Sequence, residues 1–305
     1  MRSFLLWCAS NPWLSSHVPT WGFARRAVRR FMPGEDLEAA LKAAAEFKAQ
    51  GVGSLLTRLG ENVKNLTEAG EVVEHYEAVF ARVAEAGLSS EVSVKPTQLG
   101  LDIDAAAAYA NLERLARAAS KAKCFLWIDM EGSAYTEATI DFYRRLHAAH
   151  PETGIALQAY LHRTVQDVAG LLPVKPAIRL VKGAYAEPST IAFTAKREVD
   201  ANYLALCVLM LPQVRQGNLR LILATHDVDL IARITRFALA VGLERAQLEV
   251  AMLYGIRTDQ QIRLAHEGYV VKDLISYGDA WYAWYVRRLA ERPANVLFAA
   301  RQIFG

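Results

Sequence analysis

Cysteine is scarce in this chain. Cys8, Cys124 and Cys207 are the only three in 305 residues, and no CxxC pair occurs, so neither a disulfide framework nor a thiolate zinc site has its residues. A reducing, cytoplasmic setting fits that usage. Charge of one sign is also scarce, since 35 Lys and Arg against 32 Asp and Glu leave a net charge of +3, too even to expect a nucleic-acid partner. No uncharged apolar run is long enough to span a bilayer. The opening MRSFLLWCAS carries an apolar stretch as short as a secretory core can be and is soon followed by Pro12, so secretion is not expected. No G-x-G-x-x-G is present, Gly51-Val-Gly53 being the nearest approach, and no Walker A pattern occurs; both absences argue against a dinucleotide Rossmann fold or a P-loop. The 53% hydrophobic and 22% charged content still supplies a large core.

What the sequence does contain is an alternation. From residue 50 onward eight short apolar runs are separated by helical patterns: Val52 to Leu56, Val92 to Lys95, Cys124 to Asp129, Gly154 to Tyr160, Ala177 to Lys182, Arg220 to Ala224, Leu248 to Leu253 and Tyr269 to Ile275. Each is nearly continuously apolar and followed by polar residues, the pattern of strands buried on both faces of a parallel sheet. Helix signals lie between them: Asp36 to Lys48 before Gly51, Glu68 to Glu85 before Gly87, and Thr136 opening the helix that carries Phe142 and Leu146. A βα order repeated in this way requires right-handed crossovers with helices outside. It predicts an α/β fold, a (β/α)8 TIM-type barrel, with an open sheet as the alternative.

In such a barrel the reacting groups stand at the C-terminal ends of the strands. Those ends are polar here: Arg58 with Glu61, Lys95, Asp129 with Glu131, Gln158, Arg179 with Lys182, Thr225 with His226 and Asp227, and Lys272 with Asp273. Their convergence predicts one shared site at the barrel mouth. Lys95 or Lys182 could be the Schiff-base nucleophile of a lyase. The simpler reading makes them fixed charges for a carboxylate or phosphate, and Arg179-Leu-Val-Lys182-Gly183-Ala184 suits an anion. His226 fits a general base or a hydrogen-bonding scaffold. His147 and His150 have no carboxylate partner at metal-site spacing and read as solvated, so no metal site is expected. Residues 281–293, WYAWYVRRLAERP, read as one helix. Arg287 and Glu291 share a face with Trp284 while Arg288 is turned about 100° away, so both arginines can meet one rim.

The segment Trp21 to Met32, WGFARRAVRRFM, is basic and aromatic. It could lie on a membrane surface. The simpler expectation is a helix that packs Phe23, Val28 and Phe31 on the body and leaves its arginines solvated.

Seven segments occur in order: SVKPTQLGLDID, WIDMEGSAYTEATIDFYRRL, GIALQAYL, IRLVKGAYAEP, LATHD, MLYGIR and YVRRLAERPAN. Together they resemble the bacterial monofunctional proline dehydrogenases, the flavin enzymes of proline catabolism, from about Asn11 to the end. The resemblance implies one flavin-binding domain over 1–305, with 1–50 as an N-terminal helical extension. It implies a distorted barrel holding FAD at the strand C-termini and a last helix over the mouth. Lys95, Arg287 and Arg288 would hold the substrate carboxylate, Asp129 would organise the pocket beside them, and Arg179 would stand near the flavin N5. Met130, Gln158, Lys182, Gly183, Ala184, Tyr185, Thr225, His226 and Glu291 match positions that contact FAD. Tyr185 and Leu253 would wall the substrate ring, and Glu61 would pair with the first helix arginine, linking loop and helix into a lid. The implied reaction is oxidation of L-proline to 1-pyrroline-5-carboxylate by hydride transfer to the flavin. Electrons would then pass to a quinone, with transient contact at the inner face of the membrane.

Three positions depart from the resemblance. Leu274 stands where the family's eighth strand has a tyrosine, Trp284 replaces the tyrosine three residues before the arginine pair, and Ala251 replaces a glutamine. These changes leave hydroxyproline or another cyclic secondary amino acid as alternatives to proline, alongside the Schiff-base lyase.

Overall fold

Eight parallel strands close on themselves in chain order in the computed structural model, which describes residues 2–291, the side chains of Arg2, Ser3, Leu6, Ser10, Pro12, Phe23 and Glu291 excepted. They are β1 (Gly53–Arg58), β2 (Ser90–Val94), β3 (Leu126–Ile128), β4 (Thr153–Gln158), β5 (Ala177–Val181), β6 (Arg220–Ala224), β7 (Glu249–Leu253) and β8 (Val270–Tyr277). Every expected strand is present; Arg220 to Ala224 keeps its expected bounds, and the others shift by one to a few residues at one end or both. The third shrinks because only Leu126 to Ile128 find partners on both sides, whereas the eighth runs on to Tyr277 because β1 pairs with it up to Arg58.

Four helices precede the barrel: α1 (Arg2–Ser10), α2 (Pro12–His17), α3 (Gly22–Val28) and α4 (Leu37–Lys48). The crossovers carry α5 (Leu66–Glu85), α6 (Ala105–Lys121), α7 (Thr136–Ala149), α8 (Thr164–Leu171), α9 (Lys196–Arg215), α10 (Val228–Ala240) and α11 (Thr258–His266), and α12 (Trp281–Glu291) follows β8. Asp36 and Asn65 cap α4 and α5 by accepting from the backbone N–H of Ala39 and Glu68; the second cap starts its helix earlier than the expected Glu68. The barrel is distorted at its seam. α4 packs on the outer side of β8 and β1, where a helix following β8 would normally lie, and α12 instead crosses the mouth. The arginine-rich segment behaves as the simpler expectation has it. Val28 and Phe31 are buried with Trp281 and Tyr285 of α12, while Arg25, Arg26, Arg29 and Arg30 are exposed; the side chain of Phe23 lies outside the described residues.

Alternation along each strand sorts side chains into the lumen or out toward the helices. At the floor of the lumen Arg220 meets Glu91 at 2.6 Å and Glu249 at 2.7 Å, and Lys272 meets Glu91 at 2.5 Å. Above them Leu55, Trp127, Ala177, Ile222 and Ala251 form an apolar plug. The Trp127 indole donates to Glu91 at 2.6 Å, and its ring occupies the space beside Gly154, where an added Cβ would sit 2.4 Å away. The lumen is therefore closed at one end. His147 and His150 are half-buried rather than solvated, His147 stacking on Tyr143 with ring centroids 5.0 Å apart.

Four residues expected at the mouth are elsewhere: Arg58, Lys272, Asp273 and Glu131, the last held by Thr97. Lys272 belongs to the floor cluster because β8 continues past the end expected for it. Asp273 and Arg58 alternate out of the lumen, away from the cavity that Leu274, Ser276 and Thr57 line. Asp273 lies fully buried beneath α11, beside Gln261, and burial pushes its carboxyl up to about 8. The folded chain then keeps a proton that the unfolded chain releases, so stability should fall as pH rises between 3.8 and about 8 and level off above. Denaturant unfolding across that range should show the decline in the wild type, with a slope approaching roughly 1.4 kcal/mol per pH unit, and a flatter profile in Asp273→Asn.

Candidate active site

The mouth holds a cavity of about 510 Å³ over the strand C-termini, with Trp284, Arg287, Arg288 and Ala290 of α12 as its roof. Lys95 and Asp129, just past the ends of β2 and β3, and Arg179 of β5 line the cavity, and the buried Ser93 of β2 joins them through Asp129. Arg179 Nη2 pairs with Asp129, Ser93 Oγ donates to Asp129 at 2.5 Å, and Lys95 Nζ lies 3.3 Å from the same carboxylate. Burial alone would raise the Asp129 pKa, yet the charges of Arg179 and Lys95 outweigh it and hold the carboxyl below its usual range. Burial likewise opposes the Lys95 charge, and Asp129 more than restores it. This aspartate is thus a fixed anion and not a proton acceptor. Nε and Nη1 of Arg179 are buried without a hydrogen-bond partner among the described residues.

On the side of the lid, Arg287 meets Glu61 at 2.6 Å and the Tyr185 hydroxyl donates to Glu61 at 3.1 Å. The Arg287 guanidinium also lies 5.2 Å from the centre of the Tyr185 ring. Loop and helix are therefore joined as the resemblance implies. Arg288 reaches the same cavity beside Trp284, 5.9 Å from its ring centre. Leu253, Leu274 and Ala251 line the wall below them.

The opposite wall carries the positions matched to the cofactor. Gln158 donates to the carbonyl of Glu131 at 3.1 Å, which leaves its Oε1 buried and without a partner among the described residues. Gly183 has φ +112°, and a Cβ there would lie 2.2 Å from the Tyr160 ring; only glycine lets the backbone turn so close to that aromatic. Met130, Ala184 and Thr225 line the cavity, Thr225 accepting from the Asp227 N–H at 3.2 Å. Lys182 lines it as well, but its ammonium is held by Asp200 at 2.5 Å and Asp227 at 3.1 Å. Its anions are carboxylates of the chain itself, which leaves the Schiff-base reading without a free amine at this lysine. His226 accepts from the Leu253 N–H through Nε2 at 2.9 Å, a scaffold contact that occupies the nitrogen a base would need. The side chain of Glu291 lies outside the described residues.

Ser93, Asp200 and the Glu131 tether escaped the sequence reading. Ser93 stands two residues before Lys95 and so shares its face, a signal that strand alternation could have supplied. Glu131 does not enter the cavity. It accepts from the Thr97 N–H at 3.0 Å and hydroxyl at 2.6 Å, burial pushing its carboxyl up to about 7 against those bonds. Thr97 in turn accepts from Asn62 at 3.0 Å, which fixes the loop that carries Glu61.

Residues 40–301 match the model of the proline dehydrogenase family. Proline dehydrogenase 1 of Bacillus subtilis strain 168 is 34% identical over 303 residues, 99% of both chains. The proline dehydrogenase of Deinococcus radiodurans is 35% identical over 279 residues, 90% of this chain and 89% of the relative. Among solved structures, proline utilization A from Bdellovibrio bacteriovorus, inactivated by N-propargylglycine, superposes with a TM-score of 0.82 at 23% identity, covering 88% of this chain and 33% of that one. A mutant proline utilization A from Bradyrhizobium japonicum gives 0.75 at 22% identity over 92% of this chain and 32% of its own. The likeness to these structures is one of fold, and this chain spans about a third of their length. With a family model matching most of its length and full-length relatives above 30% identity, the chain belongs to the proline dehydrogenase family.

Proposed function

We propose that this protein oxidises L-proline to 1-pyrroline-5-carboxylate, the first step of proline degradation toward glutamate, with FAD as its cofactor and a quinone as electron acceptor. The observation that carries this reading is the meeting of Lys95, Arg287 and Arg288 with Asp129 and Arg179 in one cavity, within a chain that matches its family along nearly its whole length. We take 1–305 as one flavin-binding barrel domain with 1–50 as a helical extension.

Several features of the cavity fit a flavin. Its volume lies in the range of about 300–1,000 Å³ usual for cofactor sites. Among the described residues Arg179 and Gln158 each keep buried polar atoms without partners on that wall, and Gly183 opens the backbone beside them. Met130, Gln158, Lys182 to Tyr185, Thr225, His226 and Glu291 would hold the group. Bound FAD supplies the hydride acceptor that no side chain here can provide.

The chain's own residues do the rest. Lys95, Arg287 and Arg288 bind the substrate carboxylate through charge-assisted hydrogen bonds. The same three cations lower the pKa of a nearby ammonium, which keeps the substrate amine neutral and its lone pair free to assist hydride loss. Asp129 balances Lys95 and Arg179 and fixes where their charges point. Arg179, which lines the cavity, would offer positive charge to an acceptor held on that wall. Tyr185, Leu253 and Trp284 enclose the ring, and the Glu61–Arg287 pair excludes water above it.

The test is direct. The purified protein should release FAD on denaturation, and anaerobic L-proline should bleach the bound flavin absorbance. Absence of flavin before and after reconstitution, or no bleaching by any cyclic secondary amino acid, overturns the reading. Arg288→Met should keep its flavin but lose roughly 2 to 5 kcal/mol of substrate interaction, about 30-fold to several thousand-fold in kcat/KM. Unchanged steady-state kinetics would remove Arg288 from the clamp.

A second reading within the same chemistry is favoured by the wall of Leu274, Trp284 and Ala251, all of which line the cavity. A reshaped wall acts on the ring and leaves carboxylate recognition alone, at roughly 1 to 3 kcal/mol per misplaced methylene-sized group. Proline turnover should then be present but weak, and the double variant Leu274→Tyr, Trp284→Tyr should raise it. kcat/KM for proline, trans-4-hydroxyproline and pipecolate in both proteins decides the matter. Robust wild-type proline turnover that the double substitution reduces would leave proline itself as the substrate.

A further inference from the structure

Between β3 and α7 a short bridge of chain grips two loops at once. The bridge is itself braced: the Asp129 N–H donates to the Val94 carbonyl at 2.8 Å, Gln158 donates to the Glu131 carbonyl at 3.1 Å, and the Tyr135 N–H donates to the Gly132 carbonyl at 2.9 Å. One arm leaves it through the Glu131 carboxylate, which accepts both the N–H and the hydroxyl of Thr97. With its proton given to Glu131, the Thr97 hydroxyl turns a lone pair to the Asn62 N–H, and the Thr97 carbonyl accepts from the Val63 N–H at 3.4 Å. Asn62 Nδ2 donates to Asp102 at 2.7 Å and to the Tyr135 hydroxyl at 3.2 Å. Its backbone is left-handed, φ +54°, a conformation that a non-glycine residue keeps only where its surroundings hold it. The next residue back is Glu61.

The second arm is the first reversed. Ser133 gives its N–H at 2.7 Å and its hydroxyl at 2.6 Å to the Glu187 carboxylate, which holds the loop after β5 just beyond Tyr185. The two loops then meet, because Tyr185 donates to Glu61 and Glu61 takes Arg287 of α12. In each arm one carboxylate takes two donors from a single residue, so both of its oxygens must accept; an amide there would set an N–H against a donor.

We infer that Glu131 and Ser133 are positioning residues for substrate binding, which from one braced segment hold Glu61 and Tyr185 in the arrangement that receives the substrate. Both stand behind the residues that line the cavity and act through the loops they grip. The consequence falls on KM. A site whose loops are in place only part of the time binds with its affinity reduced by that fraction, whereas at saturation the bound substrate restores the arrangement and kcat changes little. What is bound rests on the proline-oxidising reading above; the grip on the two loops does not.

Two measurements on the full-length holoprotein test it. In steady-state kinetics with L-proline, Glu131→Gln should raise KM about tenfold, the loss of one hydrogen bond to a charged acceptor, with kcat within about twofold of the wild type. Thr97→Val should do the same, while Thr97→Ser, which keeps both donors, should stay near the wild type. Packing alone would order these two the other way, since valine keeps the volume and serine leaves a gap. Ser133→Ala should raise KM as well, and Ser133→Thr should not. In a Glu61→Gln background, Glu131→Gln should add little, because its path to the substrate is already cut. The second measurement is amide hydrogen exchange without substrate, which should be faster at Asn62 and Val63 in Glu131→Gln and Thr97→Val and unchanged in Thr97→Ser. Retained flavin and an unchanged circular-dichroism spectrum verify each fold, and the Thr97 and Ser133 pairs keep the test open if Glu131→Gln misfolds. Unchanged KM in the folded variants, Thr97→Ser as impaired as Thr97→Val, or unchanged exchange at Asn62 and Val63 would overturn the inference. A wild type that oxidises no cyclic amino acid would strike the enzymatic reading instead, and the exchange rates would still decide whether Glu131 holds the loop.

Discussion

The ion cluster at the barrel floor, Glu91 with Arg220, Lys272 and Glu249, closes one end of the lumen. Charges are buried there at low cost only because each meets its opposite and Trp127 adds a hydrogen bond to Glu91. The indole then fills the lumen above, in space that Gly154 leaves open. With that end sealed by charge and by ring, ligand can approach only over the C-terminal ends of the strands. The cavity accordingly opens at the other end, beneath α12.

At the open end the same balance recurs with a different result. Asp129 neutralises part of the charge of Lys95 and Arg179 and locks both side chains, yet Arg179 keeps two N–H-bearing atoms without a partner among the described residues. The floor is fully paired and inert, whereas the mouth is paired only as far as positioning requires. The Glu61–Arg287 contact ties a loop after β1 to a helix after β8. Its anchor is indirect, running through Asn62 and Thr97 to the buried carboxyl of Glu131.

Much of this was legible from the chain. Eight apolar runs separated by capped helices give a closed parallel barrel little competition, since strands that alternate with helices in register have few other ways to bury both faces. Their meeting place was legible for a related reason: of the seventeen positions proposed for catalysis, substrate or cofactor, sixteen line the mouth cavity, and Glu291 has its side chain outside the described residues. What went astray was orientation. Lys272 and Asp273 sit near a strand end in the sequence but face the floor or the helices because the eighth strand outruns its apolar stretch to follow β1, Arg58 alternates with the cavity-lining Thr57, and Glu131 turns to Thr97.

The sequence by itself determined the strand order, the helix starts at Asp36 and Thr136, and the set of cations available for a carboxylate. Those are properties of local pattern: a period of two, a capping side chain, a charged residue after an apolar run. Only the tertiary structure decided that Glu91 meets Arg220 and Lys272, that Lys182 spends its charge on Asp200 and Asp227, and that Arg287 reaches Glu61. Each of those pairs joins separate elements of the chain, and its partners are fixed by the register in which the barrel closes, a quantity that depends on all eight strands together and is written in none of them alone.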